Sequence, residues 1–128
     1  VKPIRAKDLG LLLPAGGGKA KPGLGALPKP RMNQLESAYA AQLDLELRQG
    51  LILWWRFEGI TLKLGDDCRY TPDFAVLAAD GVLELRETKG FMRDDARVKL
   101  KVAAASFPFR CWLIRKDGGG FNVEAVTP

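Results

Sequence analysis

The chain has 128 residues, 47% of them apolar, and a net charge of +5, which bounds it to one compact domain of modest size. It contains no histidine, so Ser-His-Asp and Cys-His triads, HExxH zinc sites and histidine-dependent nuclease or deaminase mechanisms are excluded. Cys68 and Cys111 show neither zinc spacing nor a disulfide framework, which points to a reducing compartment, and no apolar run is long enough to span a membrane.

The charge is unevenly placed. Residues 1–31 carry seven Lys/Arg, including Lys19, Lys21, Lys29 and Arg31, against Asp8 alone, a balance of +6. Residues 32–128 carry thirteen Lys/Arg and fourteen Asp/Glu, a balance of −1. The first 31 residues also hold six Gly and five Pro, with few large apolar groups, and read as a flexible arm ahead of a domain over 32–128. A polyanion partner and a solubilising tail both fit this composition. GGGKA (16–20) is not a phosphate loop, because Leu13 stands where its first glycine belongs and Ala20 where Ser or Thr belongs. LGLLLP (9–14) is too short for a signal sequence.

Residues 33–49 predict a helix. Leu35, Tyr39, Leu43 and Leu47 form one stripe, Gly50 ends it, and Asn33 with Glu36 fits a capping box. Glu36 and Glu46 both fall within the arc of the stripe, so the stripe alone singles out neither. LILWWRF (51–57) and ITLKL (60–64) predict strands joined at Glu58-Gly59, with GDDCR as a turn. YTPDFAVL (70–77) predicts a third strand, with Pro72 at its start or on an edge. AADG (78–81) is a tight turn and VLELRETK a fourth strand. Asp94 or Asp95 caps a second helix to about Ser106, with Ala96, Leu100, Ala103, Ala104 and Phe107 on one face. FRCWLIRK (109–116) and FNVEAV (121–126) follow as strands across DGGG. The order predicts an α/β fold with a mixed, mainly antiparallel sheet flanked by helices, and Trp54, Trp55 and Trp112 in its core.

Strand alternation puts Asp73 with Thr71, Ala75 and Leu77, and Glu87 and Lys89 with Leu83 and Leu85. A hairpin of these two strands gathers two carboxylates and a lysine at one end of the sheet. Close carboxylates repel, and Mg²⁺ between them removes the conflict, since it takes one or two carboxylates plus waters and substrate phosphate. An E-x-K strand end is equally a common solvated face.

Pro72-Asp73 and Glu87-Thr88-Lys89 match the PD-(D/E)XK nuclease pattern. YTPDF (70–74), ETKG (87–90), Asp94-Asp95 with Arg97 and Lys99, and Leu35-Glu36 on the first helix make the chain resemble the phage T7-type endonuclease I family of Holliday-junction resolvases, and a group of small phage-encoded PD-(D/E)XK proteins, over roughly residues 33–115. The resemblance implies a restriction-endonuclease-like core and a Mg²⁺- (or Mn²⁺-) dependent endonuclease acting on branched DNA. It implies that Asp73 and Glu87 bind metal, that the Thr88 carbonyl is a further ligand, that Lys89 is catalytic and that Glu36 completes the site. It also implies a homodimer working in the cytoplasm of a host cell. The segment between Asp73 and Glu87 is longer here than in that family. Arg97 and Lys101, one turn apart, flank the apolar face of the second helix, with Lys99 on the other flank. They fit phosphate contacts or a solvated face, and the arm lysines with Arg31 fit a strap across DNA. A PD-(D/E)XK nuclease that nicks or degrades duplex, and a DNA-binding phage protein without turnover, remain the alternatives.

Overall fold

The computed structural model describes residues 31–90 and 94–128. In chain order the elements are α1 (Gln34–Arg48), β1 (Ile52–Phe57), β2 (Leu62–Gly65), β3 (Cys68–Tyr70), β4 (Phe74–Ala78), β5 (Leu83–Thr88), α2 (Asp94–Ser106), β6 (Arg110–Asp117) and β7 (Gly120–Ala125). Five strands form a mixed sheet in the order β1-β4-β5-β6-β7, and β2 and β3 form a separate antiparallel pair. Within the large sheet β5 and β6 run parallel and the other neighbours antiparallel. Parallel neighbours need a long crossover, and α2 supplies it. The fold is therefore α/β.

The predicted capping box closes at α1. Asn33 Oδ1 accepts the Glu36 N–H at 2.8 Å, and Glu36 Oε1 accepts the Asn33 N–H at 2.8 Å. Gly50, at φ +76°, takes the left-handed conformation that ends the helix. Tyr39 and Leu43 of the predicted stripe pack on Trp55, Phe74, Val76 and Ile114. Leu100, Ala103 and Ala104 of α2 pack on Leu85, Cys111 and Leu113, joined by Leu62 and Tyr70 of the β2–β3 pair. Phe74 and Val76 alternate with Ala75 along β4, and Cys111 and Leu113 with Ile114 along β6, so these clusters lie on opposite faces of the sheet. All five residues of β4 are buried, as a strand covered on both faces requires. Trp54 and Trp55 are buried, as predicted, and Trp112 is partly buried. Among the described residues no helix is long and apolar enough to cross a membrane.

Three predicted features differ. The run 70–77 is not one strand. Tyr70 ends β3 in the small sheet and Phe74 opens β4 in the large one, making seven strands rather than six. Pro72 lacks a ladder N–H and sits buried at the switch. Cys68 and Arg69, placed by prediction in the GDDCR turn, open β3 instead, and the two strands joined at Glu58-Gly59 do not pair with each other: β1 pairs with β4, and β2 with β3. Finally, α2 opens at Asp94, so Asp94 and Asp95 are its first two residues and neither is its cap. The basic arm predicted over 1–31, with Lys19, Lys21 and Lys29, lies outside the described residues except for Arg31, which is exposed.

Candidate functional site

Strand registers bring the acidic residues to one end of the large sheet. The β4–β5 pairing runs from Leu77↔Leu83 to Phe74↔Arg86, so its next step sets Asp73 opposite Glu87. The β1–β4 pairing ends at Phe57↔Phe74, so its next step sets Glu58 beside Asp73, and the Glu58 N–H donates to the Asp73 carbonyl at 2.7 Å. The β5–β6 pairing reaches Thr88↔Ile114, and the Lys89 N–H extends it to the Ile114 carbonyl at 2.7 Å. The first turn of α1 brings Asn33, Leu35 and Glu36 to this end, and the start of α2 brings Ala96 and Arg97. Together they enclose a cavity of about 420 Å³ that Glu36, Asp73, Glu87, Thr88, Lys89 and Arg97 all line. Gly90, where β5 gives way, lets α1 close in: a Cβ there would stand 3.3 Å from Leu35 Cδ2.

Asp73 sits in the bend between β3 and β4, ahead of the first residue of β4. Its Oδ2 accepts the Thr88 N–H at 2.9 Å and the Thr88 hydroxyl at 2.7 Å. The Asp73 N–H, freed from the ladder, donates to Glu87 Oε2 at 3.1 Å. The same oxygen accepts the Tyr70 hydroxyl at 2.5 Å. The segment 70–73 and the segment 87–88 therefore hold each other's side chains.

Among the described residues Glu36, Asp73 and Glu87 enter no ion pair. Burial, and then the charge of Asp73, push the Glu87 carboxyl up to about 7, against the lowering effect of its bonds from Tyr70 and Asp73. Glu36 is also raised, chiefly by burial. Its bond from the Asn33 backbone opposes this, while the nearby Asp73 carboxylate adds to it. Glu58, exposed and outside the predicted set, is raised by partial burial and by Asp73. Its approach depends on the non-local β1–β4 register, which no local pattern around Glu58-Gly59 encodes. Among the described residues Lys89 and Arg97 enter no ion pair, so both cations line the cavity uncommitted.

The predicted phosphate contacts separate into two groups. Arg97 and Lys101 share a second hollow beside the first, between α2 and residues 124–127. Lys99 points away from it, with its Nζ donating to the Arg69 carbonyl at 3.0 Å and tying α2 to β3.

The available donors are carboxylate and carbonyl oxygens, with no imidazole or thiolate in the cavity lining, a set that suits a hard cation such as Mg²⁺ or Mn²⁺. Among the described residues no three His, Cys, Asp or Glu side chains form a closed ligand group. Tyr70 and Asp73 occupy one oxygen of Glu87, and Thr88 occupies one oxygen of Asp73. Two carboxylates with waters are nonetheless enough for Mg²⁺, so the residues fit such an ion without a closed cage. Searches of family models, curated proteins and solved structures return no match to this chain.

Proposed function

We propose that the protein is a Mg²⁺- or Mn²⁺-dependent endodeoxyribonuclease of PD-(D/E)XK type with a restriction-endonuclease-like core. One observation carries this: Glu36, Asp73, Glu87 and Lys89 line a single cavity in which burial and the charge of Asp73 raise the Glu36 and Glu87 carboxyls, and among the described residues none of the three carboxylates enters an ion pair. The sequence resemblance adds the substrate, branched DNA such as a four-way junction, and a homodimer as the working form.

Asp73 and Glu87 would hold the metal, with Glu36 and the Thr88 carbonyl as further donors, and the bound ion would supply an acidified water and charge stabilisation at the phosphate. Thr88 fixes the Asp73 carboxylate through its amide and hydroxyl. Lys89 follows Glu87 by two residues and lines the same cavity, which suits it to orient the attacking water or to stabilise charge on the phosphorane. Arg97 lines the same cavity, where it would hold the phosphate being cut, and Lys101 follows one turn along α2 for the next contact. Arg31 and the arm lysines Lys19, Lys21 and Lys29 add non-specific affinity.

The lack of a closed ligand group favours a second reading, a DNA-binding protein without turnover. Cleavage of a labelled four-way junction, beside linear duplex and single strand, separates the two. We expect junction cleavage that requires Mg²⁺ or Mn²⁺ and that is lost in Lys89→Ala with binding retained. Cleavage confined to linear duplex would keep the chemistry and reassign the substrate. Binding without cleavage of any substrate would establish the second reading.

A further inference from the structure

Tyr70 belongs to the small sheet, yet its side chain reaches the site of the large one. The ring is 5% exposed and packs in the α2-side cluster with Leu62, Leu85 and Leu100. A phenylalanine would fill the same volume, so packing alone does not call for the hydroxyl. That hydroxyl donates to Glu87 Oε2, and the Asp73 N–H, three residues on, donates to the same oxygen. Thr71 and the buried Pro72 separate the two donors, and the ring of Pro72 fixes its φ. Residues 70–73 thus close on one oxygen from two sides. Among the described residues no donor reaches the other oxygen, Oε1, on a residue that lines the cavity.

The terminal torsion of a glutamate is broad and, left alone, presents either oxygen. Two donors on Oε2 remove that freedom and aim Oε1. We propose that Tyr70 is a positioning residue that presents Oε1 of Glu87 as the ligand atom of the site. The inference rests on the metal-dependent reading above. Outer-shell hydrogen bonds of this kind orient ligating carboxylates, and their loss typically costs 10–100-fold in metal affinity.

The test uses the full chain and Mn²⁺ alone, without nucleic acid, with free Mn²⁺ counted by electron paramagnetic resonance. Thermal unfolding in EDTA and cleavage rates across a Mn²⁺ series run alongside. In Tyr70→Phe we expect the Mn²⁺ dissociation constant to rise ~10-fold or more. The melting temperature in EDTA should stay within a few degrees of wild type, and the cleavage rate at saturating Mn²⁺ should fall by less than the affinity does. Mn²⁺ affinity within twofold of wild type, with or without a lower melting temperature, would make Tyr70 a packing residue and overturn the inference. Glu87→Gln separates the two levels. If it binds Mn²⁺ as wild type does, the metal-dependent reading fails and takes this inference with it. If it loses Mn²⁺ while Tyr70→Phe does not, only the role of Tyr70 fails.

Discussion

Glu84 and Glu87 stand three residues apart on β5 and are held in opposite ways. Glu84 is 4% exposed and closed by guanidinium groups: Arg86 Nη2 at 2.7 Å and Arg110 Nη2 at 2.8 Å. The network continues from Arg86 to the Tyr39 hydroxyl at 2.8 Å and to Glu46 at 3.4 Å, and from Arg110 to Asp80 at 2.9 Å. Glu87 has a tyrosine hydroxyl and an amide for partners, and Asp73 and Glu36 for electrostatic neighbours. The first arrangement is electrically finished. The second concentrates negative charge, and among the described residues only neutral donors hydrogen-bond to Glu87, which is how a site for a cation differs from a structural ion pair.

Exchanging each carboxylate for its amide should separate the two most sharply. Glu84→Gln removes the most buried carboxylate of the network, leaving Arg86 with Glu46 and Arg110 with Asp80, and should cost up to about 3 kcal/mol of stability, read from urea unfolding, while activity per folded molecule survives. Glu87→Gln relieves repulsion with Asp73 and should leave the EDTA form as stable as wild type or more so, while metal-dependent cleavage falls by at least ~10²–10³-fold. Equal losses of stability in the two variants would erase the distinction.

The sequence displays Glu87 more readily than Glu84, and the reason is physical. The tight turn at 78–81 fixes the β4–β5 register locally, so Asp73 opposite Glu87 is legible from the spacing of Pro72-Asp73 and Glu87-Thr88-Lys89. The capping box at Asn33 and Glu36 is local in the same way, and so is the apolar face of α2. The burial of Glu84 is not local. Alternation along LELRE assigns Glu84 and Arg86 to solvent, but α1 covers that face of the sheet, and Arg110 arrives from β6 across the α2 crossover. Glu58 and Tyr70 were hidden for a related cause. One reaches the site through the β1–β4 pairing and the other through the switch between sheets at Pro72, contacts that chain periodicity does not record.

The comparison also predicts opposite responses to pH with and without metal. The carboxyl of Glu87 is raised to about 7, well above the ordinary range of a glutamate near 4.5, and Glu36 moves the same way. Between those values the folded chain holds a proton that the unfolded chain has released, so stability in EDTA should fall as pH rises through about 7. Metal ligation needs the deprotonated carboxylates, so the gain in melting temperature from Mn²⁺ should grow over the same interval. At a concentration of 100 times the dissociation constant it corresponds to about 2.7 kcal/mol. Glu87→Gln should flatten both trends, and Glu84→Gln should leave both in place, measured as melting temperatures from about pH 5 to pH 8 in EDTA and in Mn²⁺.

The distinction between satisfied and uncommitted charge extends to the cations of α2, where the smallest effect is expected. Lys99 and Lys101 are two residues apart on one helix, and composition treats them alike. The ammonium of Lys99 is already bound to the Arg69 carbonyl, whereas Lys101 is exposed, shares a hollow with Arg97 and has no ion-pair partner among the described residues. A lysine that contacts phosphate contributes to the salt dependence of binding through released counterions, at about 0.9 of a unit of slope per contact on duplex DNA. Lys101→Ala should therefore reduce the slope of log affinity against log salt by about one, a change of only a few-fold in affinity across a moderate salt range. Lys99→Ala should leave the slope alone and lower the melting temperature slightly, by loosening α2 from β3. Equal slopes for the two variants and wild type would place the nucleic acid elsewhere than along the Arg97–Lys101 side of α2, without touching the case for the carboxylates.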